Sequence, residues 1–472
     1  MALSRIWSAF IIIAILVATV RVTLTDNKTI YSAMVTGKSG DTIRLAKADS
    51  TALAPAQLRQ LDSTKSLVVG KRAVIRTADR RLQYYQVQGA DGIIETCKSA
   101  VNIAIGLIGI MALFMGFMTI AEAAGGIRML SRIIGPFFSR LFPELPKDHP
   151  AMGHMMMNFS ANLLGLDNAA TPFGIKAMQS LQEINPHKER ASNAQIMFLC
   201  LHASGLTLIP VAIIAARASL PKGVAAQNPT DIFIPCMIAT FVATVAALLI
   251  VSIKQRIRIF QPVILAWIGG VSAVIALLVV YLAKLNADGV QVFSALWSNV
   301  IILLIFFLII IGALYKKINI FDAFVEGAKG GFETAVRIIP YLVGMLVAIS
   351  LLRTSGTFDA IIDGMKSLFG SLGADTRFVD GLPTALIKPL SGSGARGMMI
   401  DTMKTHGADS FAGRLACILQ GSSDTTFYVI AVYFGAVSVK DTRYAAGAML
   451  LADLVGIITS IILAYLFFGS VQ

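Results

Sequence analysis

Apolar residues fill most of this chain in blocks long enough to cross a bilayer. Blocks at 98–121, 194–216, 232–252, 260–283, 297–315, 332–352, 411–436 and 444–468 approach or reach the ~20 residues that span a hydrocarbon core. An earlier block, "IWSAFIIIAILVATV" at 6–20, follows Arg5 and lacks a clean A-x-A site, so the reading favours a retained anchor over a cleaved leader. "IRMLSRIIGPFFSRLF" (127–142) and "FDAIIDGMKSLFG" (358–370) are amphipathic instead, which suits helices lying along a membrane surface. Residues 25–96 form the one long polar stretch. "TIYSAMVTGKSGDTIRLA" reads as two strands around a glycine-containing turn, and "SLVVGKRAVIRT" and "RLQYYQVQG" read as further strands. The pattern predicts an all-α polytopic membrane protein carrying a small extracytoplasmic β-rich insert.

Composition supports that class. The 472 residues are 56% hydrophobic and 14% charged, where soluble proteins are about 25% charged. The net charge of +13 does not require nucleic acid, because Lys and Arg gather in cytoplasmic loops and near anionic head groups. Cys97, Cys200, Cys236 and Cys417 have no CxxC or zinc spacing, and the five histidines form no paired motif. No Walker A loop or GxGxxG is present. No metal site, cofactor or enzymatic machinery is expected.

Two stretches match in order. "KSAVNIAIGLIGIM" from Lys98 parallels "ETAVRIIPYLVGML" from Glu333; Ala100, Val101, Gly109 and Gly135 correspond to Ala335, Val336, Gly344 and Gly370. "LLGLDNAATPFGIKAM" then faces "KPLSGSGARGMMIDTM", and "LHASGLTLIPVAI" faces "LQGSSDTTFYVIAV", pairing Ser204 with Ser422 and Thr207 with Thr425. Basic loops set the orientation. Arg5, the cluster Arg128, Arg132, Arg140 and Lys147, the pair Lys188 and Arg190, the turn Lys254, Arg256 and Arg258, and Lys316 with Lys317 all belong on the inside. Residues 151–178 then enter and leave by one face, and the two repeats run in opposite orientations. The expected organisation is an anchor (1–24), the insert (25–96), a first repeat (97–258), a linking two-helix hairpin (259–319) and a second repeat (320–472).

Irregular backbone survives at membrane depth only inside protein or beside a watery cavity. Four places look broken: the tips of two re-entrant hairpins, Gly165 to Pro172 and Leu390 to Gly397, and two spans, "HASGLTLIP" (202–210) and "QGSSDTTF" (420–427). Inverted repeats with broken helices are a transporter signature, with substrate near the midplane. The first hairpin offers Asp167, Asn168 and Thr171, and Asn158 and Asn162 share one helix face. The second offers Ser391, Ser393, Gly394 and Arg396 at a helix start suited to anions. Ser204 and Thr207, and Gln420, Ser422, Asp424 and Thr425, come from the broken spans. Intramembrane ionisable groups mark function by default, which singles out Asp167 and Asp424. Arg396 reads equally as a structural partner of either aspartate. His202 reads as a satisfied core histidine. Two such aspartates raise an aspartyl-protease reading, but Asp167 sits at a loop tip and the chain lacks the YD and GxGD pairing.

These residues also carry a family resemblance. "NFSANLLGLDNAATPFGIKAM" with "LQEINPHKERASNAQIMFL" resembles spore maturation protein A, and "ALIKPLSGSGARGMMIDTM" with "QGSSDTTFYVIAVYFGAVSVKDTRYA" resembles spore maturation protein B. The resemblance covers roughly 96–258 and 320–468, as halves of a fusion, and leaves the polar insert outside. It implies the nucleoside-recognition, or Gate, domain, which is similar to parts of concentrative nucleoside transporters and of ferrous-iron transport proteins. Paired hairpins, broken spans and inverted repeats are implied with it; no site residue is carried over.

The resulting expectation is a multi-pass protein of the cell (plasma or inner) membrane that moves a small polar, nucleoside-like solute by alternating access. A non-transporting scaffold for envelope processes and an ion-conducting channel remain the alternatives. Lipid and a small polar solute are the expected partners, without nucleic acid; a coupling cation and self-association stay open.

Overall fold

The computed structural model of the chain is almost entirely α-helical outside one small sheet. It describes residues 2–25, 29–38, 41–48, 66–69, 72–76, 82–87, 91–146, 149–163, 167–207, 209–282, 284–285 and 287–469. The chain divides into two compact units, residues 1–102 with 339–376, and residues 103–338 with 377–472.

The first unit begins with α1 (Ala2–Thr25) and α2 (Thr29–Thr36). The second of these corrects the sequence reading, because Thr29–Thr36 is helical where a strand was expected. Only two of its eight residues, Ile30 and Val35, are both β-branched and aliphatic, and the face carrying Ile30, Ala33 and Met34 is buried, so packing outweighs the short extended pattern. Four strands follow, β1 (Thr42–Ala48), β2 (Ser66–Val69), β3 (Arg72–Arg76) and β4 (Leu82–Val87), in the antiparallel order β1-β4-β3-β2. Their register is fixed by pairs such as Val74 with Tyr84 and Arg44 with Tyr85. Helix α13 (Thr357–Ser371) belongs to this unit and leaves the helix before it at a bend of 72°. The bend is at Gly356, with φ of 78°, a conformation that L side chains rarely adopt, and the Arg21 guanidinium packs against it. Trp7 Nε1 donates to the Gly344 carbonyl at 2.9 Å, and Ser350 Oγ to the Asp91 carbonyl at 2.5 Å.

The second unit holds two series of elements in the same order. Helices α3 (Ile93–Ala123) and α12 (Ile320–Thr354) open the series and contribute to both units. Within the second unit the two meet through Gly327 and Gly331, four apart on one face of α12, against Met115 and Ala112 of α3. A Cβ on Gly331 would lie 2.7 Å from Ala112 backbone, so the backbones touch directly. After α3 come α4 (Gly126–Leu141), the helix pair α5 (Pro150–Leu163) and α6 (Asp167–Glu183), the short helices α7 (Asn193–Ala203) and α8 (Val211–Ala218), and the long α9 (Phe233–Gln255). Two linking helices follow, α10 (Pro262–Leu282) and α11 (Ala287–Tyr315); the second starts ten residues earlier than expected. The later series has α14 (Leu382–Ile387) and α15 (Gly392–His406), then α16 (Phe411–Gly421) and α17 (Thr426–Gly435), then the long α18 (Ala445–Phe468).

Local chemistry agrees between the series. Ser192 caps α7 by accepting from Gln195 N, and Ser410 caps α16 by accepting from Gly413 N. Ser204 Oγ donates to the Leu201 carbonyl at 2.7 Å, and Ser422 Oγ to the Leu419 carbonyl at 2.9 Å. The loops also dock reciprocally. The segment after α6 binds the segment after α17, with Lys440 N to Glu189 O at 2.8 Å and Ala191 N to Asp441 O at 2.9 Å. The segment after α15 binds the segment after α8, with Ala408 N to Val224 O at 2.9 Å and Gln227 N to Asp409 Oδ2 at 2.7 Å.

Among the described residues, five helices are long and apolar enough to cross a membrane: Ile93–Ala123, Phe233–Gln255, Pro262–Tyr281, Phe411–Gly435 and Ala445–Phe468, the fourth being α16 and α17 taken together across their interruption. The apolar core of the second unit centres on α7, whose Met197, Phe198 and Leu199 are fully buried among residues of α9, α17 and α18.

Candidate functional site

The two interrupted helices cross at their breaks. Helix α7 ends at Ala203, and the described residues up to Pro210 are not helical. Gly205 has φ of 65°, a conformation that L side chains rarely adopt. A Cβ there would sit 3.1 Å from Asp424 N, so this glycine also permits the crossing. The Ala203 carbonyl, freed by the break, accepts from Asp424 N at 2.7 Å. Asp424 Oδ1 in turn accepts from Thr425 N at 2.7 Å. Phe427 N finds the Pro389 carbonyl at 3.0 Å, and Lys388 Nζ donates to the Gln420 carbonyl at 2.7 Å, at the negative end of α16. Each interruption is thus satisfied by groups from the other interruption or from the α14–α15 pair, which is the condition for irregular backbone away from water.

A cavity of about 420 Å³ opens where these breaks meet. Seven of the candidates line it: Asn162, Thr171, Thr207, Arg396, Gln420, Asp424 and Thr425. They come from α5, α6, both breaks, α15 and α16. Polar and apolar walls alternate, with Tyr428 and Tyr433 from α17 and Ile209 to Ile213 around the start of α8. Gln420 is 7% exposed, and its Oε1 accepts no hydrogen bond from the described residues. The start of α15 closes on Thr425: a Cβ on Gly392 would be 2.6 Å from Thr425 Oγ1.

Other candidates lie behind the lining. Ser204 is buried, and its hydroxyl bonds Thr244 as well as Leu201. Ser422 is buried and spent on its own helix. Ser391 caps α15 by accepting from Gly394 N at 3.0 Å and lies 3.3 Å from Ser393 Oγ, and Gly394 is buried within that first turn. Asn158 is fully buried; its Nδ2 donates to the Ala170 carbonyl at 2.6 Å, tying α5 to α6. The tip residues Leu164 to Leu166 and the side chains of Asp167 and Asn168 lie outside the described residues. No group of three or more metal-ligating side chains occurs among the described residues.

Sequence reasoning missed three contributors. Lys388, a buried lysine two residues before the glycine-rich tip, lines the cavity, and so do Tyr433 and His202. His202 is buried and bonded, as read from the sequence, but it also reaches the cavity. The lysine could have been found from its place beside a helix break; the histidine could not, because its partners are 40 or more residues away.

A polar cavity thus lies between two crossed, interrupted helices, each preceded by a helix pair. The family described as Gate: Nucleoside recognition matches residues 104–220 and 335–440. Spore maturation protein B of Bacillus subtilis (strain 168) is 52% identical over 155 residues, covering 33% of this chain and 85% of that protein. Spore maturation protein A of the same organism is 40% identical over 160 residues, covering 34% of this chain and 80% of that protein. The chain belongs to the spore maturation protein A and B family and has a part similar to each, consistent with a fused A/B protein. No solved structure matches it. Its apolar helices and these relatives make it a multi-pass membrane protein.

Proposed function

We propose that the chain is a secondary transporter or permease of the cell membrane for a small polar, nucleoside-like solute, without enzymatic activity. The observation that carries this reading is the polar cavity of about 420 Å³ at the crossing of the two breaks, a size that suits a small organic ligand. The two matched stretches each hold a helix pair followed by an interrupted helix, which supports a duplicated architecture with re-entrant pairs. With the repeats in opposite orientation, rocking one against the other exposes the cavity to alternate sides. Arg396 and the start of α15 suit an electron-rich carbonyl or anionic group; Asp424, Asn162 and Gln420 Oε1 suit hydroxyl or amine hydrogens.

Uptake of tritiated uridine and a panel of other labelled metabolites into liposomes holding the full chain tests this reading. The wild type should give saturable uptake of at least one, with Asp424→Asn and Arg396→Ala each lowering it at least about tenfold, the loss of a contact worth ~1.4 kcal/mol. Uptake of every responding solute unchanged in both variants would remove the site assignment.

A further inference from the structure

His202 occupies the last turn of α7 at 4% exposure, with polar groups facing both ring nitrogens. On one side, Nδ1 lies 3.0 Å from Asn158 Oδ1 and 2.8 Å from Asn162 Nδ2. On the other, Nε2 faces Asp424 Oδ2 at 3.9 Å, within ion-pair range. The orientation of the Asn158 amide is fixed independently, because its Nδ2 donates to the Ala170 carbonyl and so leaves Oδ1 toward the ring. With the two amides oriented as they are here, one ring nitrogen cannot serve both at once. Without a proton, Nδ1 accepts from Asn162 and meets the Asn158 oxygen lone pair to lone pair. With a proton, it donates to Asn158 and meets the Asn162 N–H head on.

We propose that His202 with Asp424 is the binding site of a coupling proton, and that the proton decides which amide holds the ring. The proposal rests on the transport reading above. The step is the transfer of one proton from hydronium in the cavity to Nδ1: an O–H bond of the hydronium breaks, an N–H bond forms on the Nδ1 lone pair, and water is left behind. The positive charge created on the ring is offset by the Asp424 carboxylate facing Nε2–H. Asn162 lies at the cavity edge beside Nδ1, and Asn158 lies behind it, so the proton has a wet approach and a buried partner. Once the ring turns to Asn158, the Asn162 amide is released to a solute in the cavity. Proton and solute therefore favour the same state, and each raises the affinity for the other.

Other titratable groups surround the pair. Asp424 is the carboxylate that faces the ring. The Tyr433 ring centroid lies 4.8 Å from that of the imidazole, and Tyr428, Lys388 and Arg396 also line the cavity. Asp453 of α18 accepts from Thr426 Oγ1 at 2.5 Å. The Asp167 side chain lies outside the described residues.

The experiment uses the full chain in liposomes with tritiated uridine as the solute and a pH-sensitive dye in the lumen. External uridine should acidify the lumen. An imposed difference of about one pH unit should concentrate uridine about tenfold, since one unit is worth ~1.4 kcal/mol per proton. In His202→Gln the concentration ratio should fall to about one, with no acidification. Asp424→Glu should keep the proton signal that Asp424→Asn loses. Uridine entry without acidification in the wild type, or with unchanged acidification in His202→Gln, overturns the proposal and leaves transport standing. If the wild type moves no uridine, the transport reading falls on this probe, and the ring itself decides the proton site. Nitrogen NMR of histidine-labelled protein, assigned with His202→Gln, should then show the ring changing protonation state between about pH 5 and 8. A ring that keeps one state throughout overturns the site.

Discussion

Asn158, behind the cavity lining, and Gly392, in it, show how one side chain, present or missing, sets the packing of the site. Asn158 spends one amide on both the Ala170 carbonyl and His202, in a fully buried position. Replacing it by Ala strands two polar groups, so Asn158→Ala should lower unfolding stability by about 1–3 kcal/mol. Thermal melting in detergent would show it, and Asn162→Ala, at the cavity edge, should cost less. Gly392 shows the opposite constraint, a missing atom. A methyl there would meet Thr425 Oγ1 at 2.6 Å. Gly392→Ala should reduce both stability and solute binding, by about 1–3 kcal/mol of overpacking. Thr425→Ala in the same chain should restore melting but not binding if the clash is the cause.

Between elements, the reciprocal loop docking differs in depth. At one end, Arg217 is wholly buried and bonds Asp231 at 2.8 Å and Asp409 at 2.9 Å, while Arg414 bonds Asp231 at 2.8 Å. Carbonyls of Ala408 and Pro229 accept from Arg217 as well. Removing one member leaves charge buried without its partner, so Asp231→Asn should cost about 3–5 kcal/mol. At the other end, Lys440 with Glu189 and Arg190 with Asp441 are well exposed ion pairs. Glu189→Gln should cost at most about 1 kcal/mol, and salt should erase the difference. Equal losses at the two ends, measured by melting or by yield of folded protein, would contradict this division.

For the whole molecule, the relatives similar to its parts are separate proteins, and the second unit joins both series through backbone bonds between distant loops. A covalent link between α11 and α12 should therefore be dispensable. Chains of residues 1–317 and 318–472, expressed together, should copurify through detergent extraction. Each expressed alone should aggregate, because the apolar face of α7 would lose α17 and α18. Failure to copurify would mean that the loop docking does not hold the halves together without the link.

The sequence by itself determined the class, the apolar blocks, the two interrupted spans and the shared face of Asn158 and Asn162. These follow from residue type and local spacing: apolar length, helical period, and the backbone habits of glycine and proline. Of the hairpin tips it marked as broken, residues 167–172 and 392–397 are helical and 164–166 lie outside the described residues. It also drew Ser204 and Ser422 into the site on their positions in the broken spans, but their hydroxyls bond carbonyls three residues earlier. Tertiary structure alone decided the rest. The Arg217 network joins residues about 190 apart, and His202 meets partners on α5 and at the opposite break. Thr29–Thr36 became helical for the same reason, burial against neighbours that no local pattern contains. Which element faces which is set by packing and by the need to satisfy freed backbone groups, and both depend on residues far away in the chain.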